Sequence, residues 1–456
     1  MRSELGAETT ARIRSCYDGR VPGGADLVLY WFEKARAQIE AKCCEAVGLV
    51  ATNSIRGGAN RKVLDRIVES TRIFRAWSDE PWVNEGAAVR VSLVCFGNRT
   101  GAALDGRPVQ EVHADLTATD GGHDSPSDLT ATQVLIENEG VAFSGITKKG
   151  KFDLTRTEAI ELLLCGGNPH GRANSDVVAP WMNGDAVTGR NPESWIISFG
   201  ERTEDEARCY EAPYARVELL VKEQRLATGS PAEKRDWRKL GRRAPAMFDA
   251  IARLERFIVT PETAKHRVFM WMKPPVIPDK NLVVIARADD VIFGVLDSRL
   301  HEVWALRMGT SLEDRPSYTS KSTFRTLPFP ADVTPADTAA GAPTGPRVEA
   351  IAAAARRLNE LRENWLNPAE WVDRVPEIVP SFPDRIIPKP GHEAELKKRA
   401  LTNLYNLRPA WIDSAHKVLD AAVAAAYGWP DYTPDMPDDE ILRRLLALNL
   451  QRAARS

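Results

Sequence analysis

The chain has 456 residues, 43% of them hydrophobic and 27% charged, enough to bury two or three cores and ordinary for a globular protein. Lys and Arg number 61 against 63 Asp and Glu, a formal charge of −2, so the chain as a whole is no basic polyanion binder and any nucleic-acid surface has to be a local patch. No apolar run reaches the roughly 18 residues of a membrane crossing. Cys16, Cys43, Cys44, Cys95, Cys165 and Cys209 show no C-x-x-C spacing, and no signal peptide is recognisable, so a cytoplasmic protein with reduced thiols and no membrane partner is expected.

The first segment alternates helix and strand. Ala25–Ala41 carries apolar residues at helical spacing with Asp26 placed to cap it. Ala46–Thr52 is an apolar run of strand length, and Gly57-Gly58-Ala59-Asn60 leads into a helical RKVLDRIVES. Thr71–Trp77 and Ala87–Phe96 read as two further strands. Helix, strand, helix, strand, strand is half of an open α/β sheet with an antiparallel end, whose first strands have to come from elsewhere. Thr117–Asp128 and Pro330–Pro346 have linker composition. Arg347–Trp365, Glu393–Trp429 and Asp439–Arg455 have helical pattern. The predicted organisation is therefore a partial α/β domain at 1–115, a linker at 116–130, a mixed α/β domain at 131–330, a linker at 331–346 and a helical region at 347–456.

The Gly57-Gly58 loop could face an anion with free backbone N–H groups, but it lacks G-x-G-x-x-G spacing and an acidic partner, so it reads as a turn. His113, His123 and His170 are too scattered for a metal site. The informative stretch is Lys234–Lys273, where eleven cations face four carboxylates and Trp237, Phe257, Phe269 and Trp271 are interleaved. It reads equally as a phosphate-binding surface or as a solvated face over an aromatic core. Tyr318–Arg325 (YTSKSTFR) adds hydroxyls and the cations Lys321 and Arg325, a set suited to phosphate and base-edge bonding.

Longer strings are distinctive. Gly23–Arg36 (GGADLVLYWFEKAR), Gly48–Leu64 and Ile73–Ser92 resemble the adenine-specific DNA methyltransferases of fused type II restriction–modification enzymes, the MmeI-like family. Asn174–Gly184, Ile258–Trp271 (IVTPETAKHRVFMW), Gly294–Leu312 (GVLDSRLHEVWALRMGTSL) and Ser322–Pro330 look like that family's target-recognition region, and Leu396–Pro430 resembles its helical C-terminus. The implied fold is the C-terminal half of a Rossmann-like methyltransferase sheet, a mixed α/β target-recognition domain and a C-terminal helical region. In that family an S-adenosylmethionine glycine motif and an N-P-P-[YF] loop precede the string that begins here near Met1. Neither is found. Asn168-Pro169-His170-Gly171 lacks the second proline and the aromatic, and reads as a turn.

The resemblance implies double-stranded DNA as partner, with adenine flipped out of the duplex for methylation. Trp77 and Trp82 would approach the flipped base. Lys265, His266, Arg267, Arg299, His301, Lys321, Ser322, Thr323 and Arg325 would contact DNA. S-adenosylmethionine would enter only with the front half supplied, by a separate chain or a longer reading frame, and the chain alone is expected to be inactive. Two other readings stand beside it: a non-catalytic DNA-specificity module acting with a separate methyltransferase chain, and a soluble interaction protein whose basic patch is incidental.

Overall fold

The computed structural model describes residues 5–455 apart from 85–86, 120–128, 130–131, 191–192, 310, 313–314 and 340–344. Contacts divide the chain into two compact units. The first comprises Met1–Gln133, Val303–Ser317 and Met436–Ser456, and the second Val134–Glu302 and Tyr318–Asp435. These units cut the chain differently from the predicted segments: the helices after 346 fold back into the second unit and the last helix, Asp438–Ala453, into the first.

In the first unit, helices α1 (Val28–Glu40) and α2 (Gly58–Ser70) pack on each other and on a sheet of seven strands. These are β1 (Ala46–Thr52), β2 (Arg72–Asn84), β3 (Ala87–Gly97), β4 (Ala102–Leu104), β5 (Arg107–Val109), β6 (Glu111–Val112) and β7 (Ala118–Thr119). The order is β1-β3-β2-β4-β5, with β6 paired to β2 and β7. β3 pairs antiparallel with both neighbours, and β2–β4 is a parallel pair. The α/β character is as predicted, and β1 occupies the predicted residues. It stands at the end of the sheet, paired with β3 alone among the described strands, with Val50 exposed. Phe32 and Phe96 stack with centroids 6.0 Å apart in the core beneath.

Asp26 does not cap α1 through its side chain, contrary to expectation. Its carboxylate takes Asn60 Nδ2 at 2.7 Å and Ser54 Oγ at 3.3 Å, while Asn60 Oδ1 accepts the Asp26 N–H at 2.8 Å. The turn after β1 is thereby tied to the start of α1. Of the predicted linkers, Thr117 is buried and β7 is paired, and Pro335–Ala339 is a helix begun by a Thr334–Asp337 capping pair. Residues 120–128 and 340–344 of these segments lie outside the described residues.

The second unit contains β8 (Ala142–Ser144), β9 (Asp153–Leu154), β10 (Val178–Met182), β11 (Trp195–Ile197), β12 (Phe257–Pro261), β13 (Met270–Met272), β14 (Ile277–Pro278) and β15 (Leu282–Ile285). They form two sheets of four, ordered β14-β10-β11-β9 and β13-β12-β15-β8. β12 and β15 are buried along their whole length, in keeping with their largely apolar sequences FIVTP and LVVI. Three helices complete the unit's core: α3 (Asp290–Asp297), α4 (Pro346–Leu366) and α6 (Ala410–Ala426), with α5 (Leu401–Leu407) leading into α6. Asp289 caps α3 by accepting the Ile292 N–H at 2.8 Å.

The close approach of α3 to its neighbours rests on Gly294. A Cβ there would lie 2.8 Å from Ile351 Cγ2, 3.0 Å from Ala355 Cβ and 3.2 Å from Leu419 Cδ1. Gly294→Ala is therefore expected to destabilise the chain by roughly 1–3 kcal/mol through overpacking, although alanine is the better helix former. Denaturant unfolding with an unchanged or raised midpoint would contradict this packing.

Candidate nucleic-acid interface

The predicted contacts at Lys265–Arg267 and at Lys321–Arg325 lie 54 positions or more apart in sequence, yet neighbour each other in the second unit. The Tyr318 N–H donates to the Glu262 carbonyl at 2.6 Å, and the Arg267 guanidinium lies over the Tyr318 ring at 5.0 Å. Glu262–His266 and Tyr318–Arg325 thus form neighbouring loops. Lys265, Lys321 and Ser322 are exposed, and His266 and Arg325 are partly exposed. Thr319 organises the second loop: its Oγ1 accepts the Ser322 N–H at 3.0 Å and lies 2.7 Å from Ser322 Oγ. Arg325 extends toward Glu139 at 4.0 Å. Its carbonyl accepts from Leu135 N–H at 3.0 Å and Asn138 Nδ2 at 3.1 Å, anchoring the loop's end.

Three predicted contact residues lie inside instead. Arg267 is buried and donates to Thr260 Oγ1 at 3.0 Å and to the Pro261 carbonyl. Burial pulls its guanidinium down to about 10. His301 is 1% exposed, its Nδ1 donating to the Leu296 carbonyl at 2.6 Å and its Nε2 accepting from Tyr318 Oη at 3.1 Å. Burial lowers this imidazole to about 4, so it is neutral. Thr323 is fully buried, with Oγ1 accepting the Thr319 N–H at 3.3 Å. These three are buried and hold the loops in shape. The helical spacing of Leu300 and Trp304 around His301 was the available signal that His301 faces a core.

The basic stretch divides between structural and exposed groups. Trp237, Phe257 and Phe269 are core residues. Trp271 is stacked on Phe293 at 4.7 Å and covered by Arg256 at 3.8 Å. Arg238 pairs with Glu204, Lys239 and Arg243 with Glu201, and Arg256 with Asp290. Exposed cations remain at Lys234, Arg235, Arg242, Arg253, Lys265 and Lys273.

One residue of the interface was invisible in the sequence. Asn406, at the exposed end of α5, accepts through Oδ1 from Lys265 Nζ at 2.8 Å and lies 2.9 Å from His266 Nε2. Its neighbour Tyr405 is buried, accepting from Arg362 Nε at 2.7 Å and donating to His416 Nε2 at 2.8 Å. Arg362 also makes a two-pronged pair with Asp297, at 2.8 and 2.9 Å.

Beneath this surface is a small polar cavity lined by His266, Arg267, Leu296, Asp297, Arg299, Glu302, Tyr405, Arg408, His416 and Asp420. Arg299, another predicted contact, lines it, with its backbone N–H held by Asp420 Oδ1 at 2.7 Å and Nη1 on the Pro434 carbonyl at 3.2 Å. Burial pushes the Asp420 carboxyl up to about 7, with Glu302 adding to the rise.

In the first unit, Trp77 is half-buried and Trp82 exposed, both on β2. They pair with Leu93 and Val89 across an irregularity between residues 77 and 80. Beside the Gly57-Gly58 turn, the Asp26 carboxylate accepts from Asn60 and Ser54. Asn168–Gly171 is a turn, closed by the Gly171 N–H on the Asn168 carbonyl at 2.9 Å.

Comparison with solved structures finds this architecture elsewhere. A structure described as the type IIL restriction-modification enzyme MmeI in complex with DNA shares the fold, with TM-score 0.71 and 19% identity over 99% of this chain and 56% of that one. The chain thus spans little more than half of that protein. The type IIG restriction endonuclease BpuSI aligns only at TM-score 0.28 and 9% identity, over 93% of this chain and 53% of that one, too distant to bear on the fold. No curated protein matches. Residues 145–331 match the MmeI target recognition domain model, and the chain carries an MmeI-like target recognition domain over that span.

The Asp420 environment has a pH consequence. Because its folded value is raised, the acid form is favoured by folding. That contribution is fully present below about 4 and is lost as pH rises through about 7. Asp420→Asn, which keeps an oxygen for the Arg299 N–H, is expected to stabilise the chain at pH 8 by roughly 1–3 kcal/mol and to leave it unchanged at pH 4. Equal shifts at both pH values in thermal unfolding would contradict this.

Proposed function

We propose that this chain recognises a specific sequence in duplex DNA as the target-recognition part of a restriction–modification enzyme. The match of residues 145–331 to the MmeI target recognition domain carries this reading, and the related structure with bound DNA supports it. The reading surface is formed by Glu262–His266 and Tyr318–Arg325, with Lys265, His266, Lys321, Ser322 and Arg325 as the groups available to phosphates and base edges.

Adenine methylation with S-adenosylmethionine belongs to the same proposal at one remove. The sequence has no N-P-P-[YF] loop, and the Gly57-Gly58 turn lacks G-x-G-x-x-G spacing. The chemistry is therefore assigned to polypeptide outside these 456 residues, in the same reading frame or in a separate methyltransferase chain. β1 offers an open strand edge against which such a front half could extend a Rossmann-like sheet. Trp77 and Trp82 are the aromatic groups proposed to meet a flipped base.

Binding to a mixed-sequence duplex should fall steeply with salt as counterions are released. Replacing Lys265, Lys321 and Arg325 together by glutamine should weaken binding at least roughly 100-fold and flatten the salt dependence by about one unit of slope per lost phosphate contact. Arg267 is left intact, since losing it would disturb the core. A variant that binds and selects DNA like the parent would refute this surface.

A further inference from the structure

The C-terminal helices brace the recognition domain, but α5 also reaches its surface. Asn406 is exposed and accepts on one oxygen from both Lys265 and His266, residues about 140 positions earlier. A lysine ammonium has donors only, so the amide oxygen, rather than its nitrogen, has to face Lys265. The same oxygen can only accept from His266, which fixes the imidazole with its proton on Nε2. An amide oxygen has two lone pairs, and both are taken. What the group then offers outward consists of donors: the Asn406 Nδ2 hydrogens and the remaining Lys265 Nζ–H groups.

An asparagine reads adenine by accepting from N6 and donating to N7. Here the accepting half of that pairing is already used, and the adjacent ammonium would oppose the adenine amine. The major-groove edge of guanine presents N7 and O6, both acceptors. From this geometry we propose that Asn406 is a specificity-determining residue that, with Lys265, donates to the N7/O6 edge of one guanine in the recognised sequence. This rests on the DNA-recognition reading above and deepens it, extending the reading surface from the target recognition domain at 145–331 to helix α5. His266 serves as a positioning residue, holding the Asn406 oxygen turned away from the base.

The test uses the full chain and a library of randomised duplexes, from which the parent, Asn406→Ala and Asn403→Ala are each used to select. Asn403 is exposed on the same helix, with its amide on the Lys398 carbonyl, and serves as control. The parent and Asn403→Ala should enrich one motif. Asn406→Ala should enrich the same motif with one guanine relaxed and with an unchanged salt slope. In a fixed duplex of that motif, 7-deazaguanine at the relaxed position, which removes N7, should weaken the parent about tenfold or more and leave Asn406→Ala unaffected. Three results would overturn the inference. An identical motif from Asn406→Ala would show that Asn406 does not read. Weakening that is uniform across sequences, with no guanine relaxed, would place it on a phosphate. A 7-deazaguanine penalty of equal size in both proteins at every guanine would place the contact on another residue. Failure of the parent to enrich any motif would instead overturn the DNA-recognition reading itself, and this inference with it.

Discussion

The buried ion pair between Arg362 and Asp297 is the constraint on which the second unit depends. Isolating either charge from water costs several kcal/mol or more, and an ion pair offsets that cost only when its remaining donors and acceptors are satisfied. Here all five guanidinium N–H groups find partners: two on the Asp297 carboxylate, one on the Phe269 carbonyl and two on the Tyr405 hydroxyl. The hydroxyl passes its own proton to His416, and burial keeps that imidazole neutral, at about 3. One side chain on α4 thereby fixes α3, α5, α6 and the strand turn at Phe269.

That constraint reaches the surface by chain connectivity. Phe269 follows Lys265, His266 and Arg267 by a few residues, and Asn406 follows Tyr405 directly. Both sides of the Lys265–Asn406–His266 contact are therefore joined to groups locked on Arg362. A binding group held on a rigid support keeps its geometry without an ordering cost at the moment of binding. The Tyr318 loop is secured in parallel, through His301 and Arg267 in the core and Glu262 at its edge. Exposed cations can then sit on loops whose backbones are fixed from below.

Much of the architecture was legible in the sequence because apolar periodicity reports burial locally. β1 was found to the residue, and β3 and the long helix α4 to within a residue or two, from such patterns. Charge was less legible. The cations of Lys234–Lys273 looked like one surface, but Arg238, Lys239, Arg243, Arg256 and Arg267 are spent on Glu201, Glu204, Asp290 and the β12 backbone. A sequence shows that a charge exists without showing its partner, when that partner lies tens of residues away. Asn406 escaped for the same reason, lying in an ordinary helical string with its two donors far upstream. The compact units were likewise hidden, since neither the return of the last helix to the first unit nor the packing of α4 and α6 on α3 leaves a local mark.

In the proposed function, loops anchored to one buried network form the DNA-facing surface. Amide hydrogen exchange of the full chain, with and without a mixed-sequence duplex at low salt, tests it most directly. The account predicts added protection at Glu262–His266, Tyr318–Arg325 and the end of α5 around Asn406, reversed by raising the salt. Protection confined to other segments, or none at these three while DNA is bound, would contradict it.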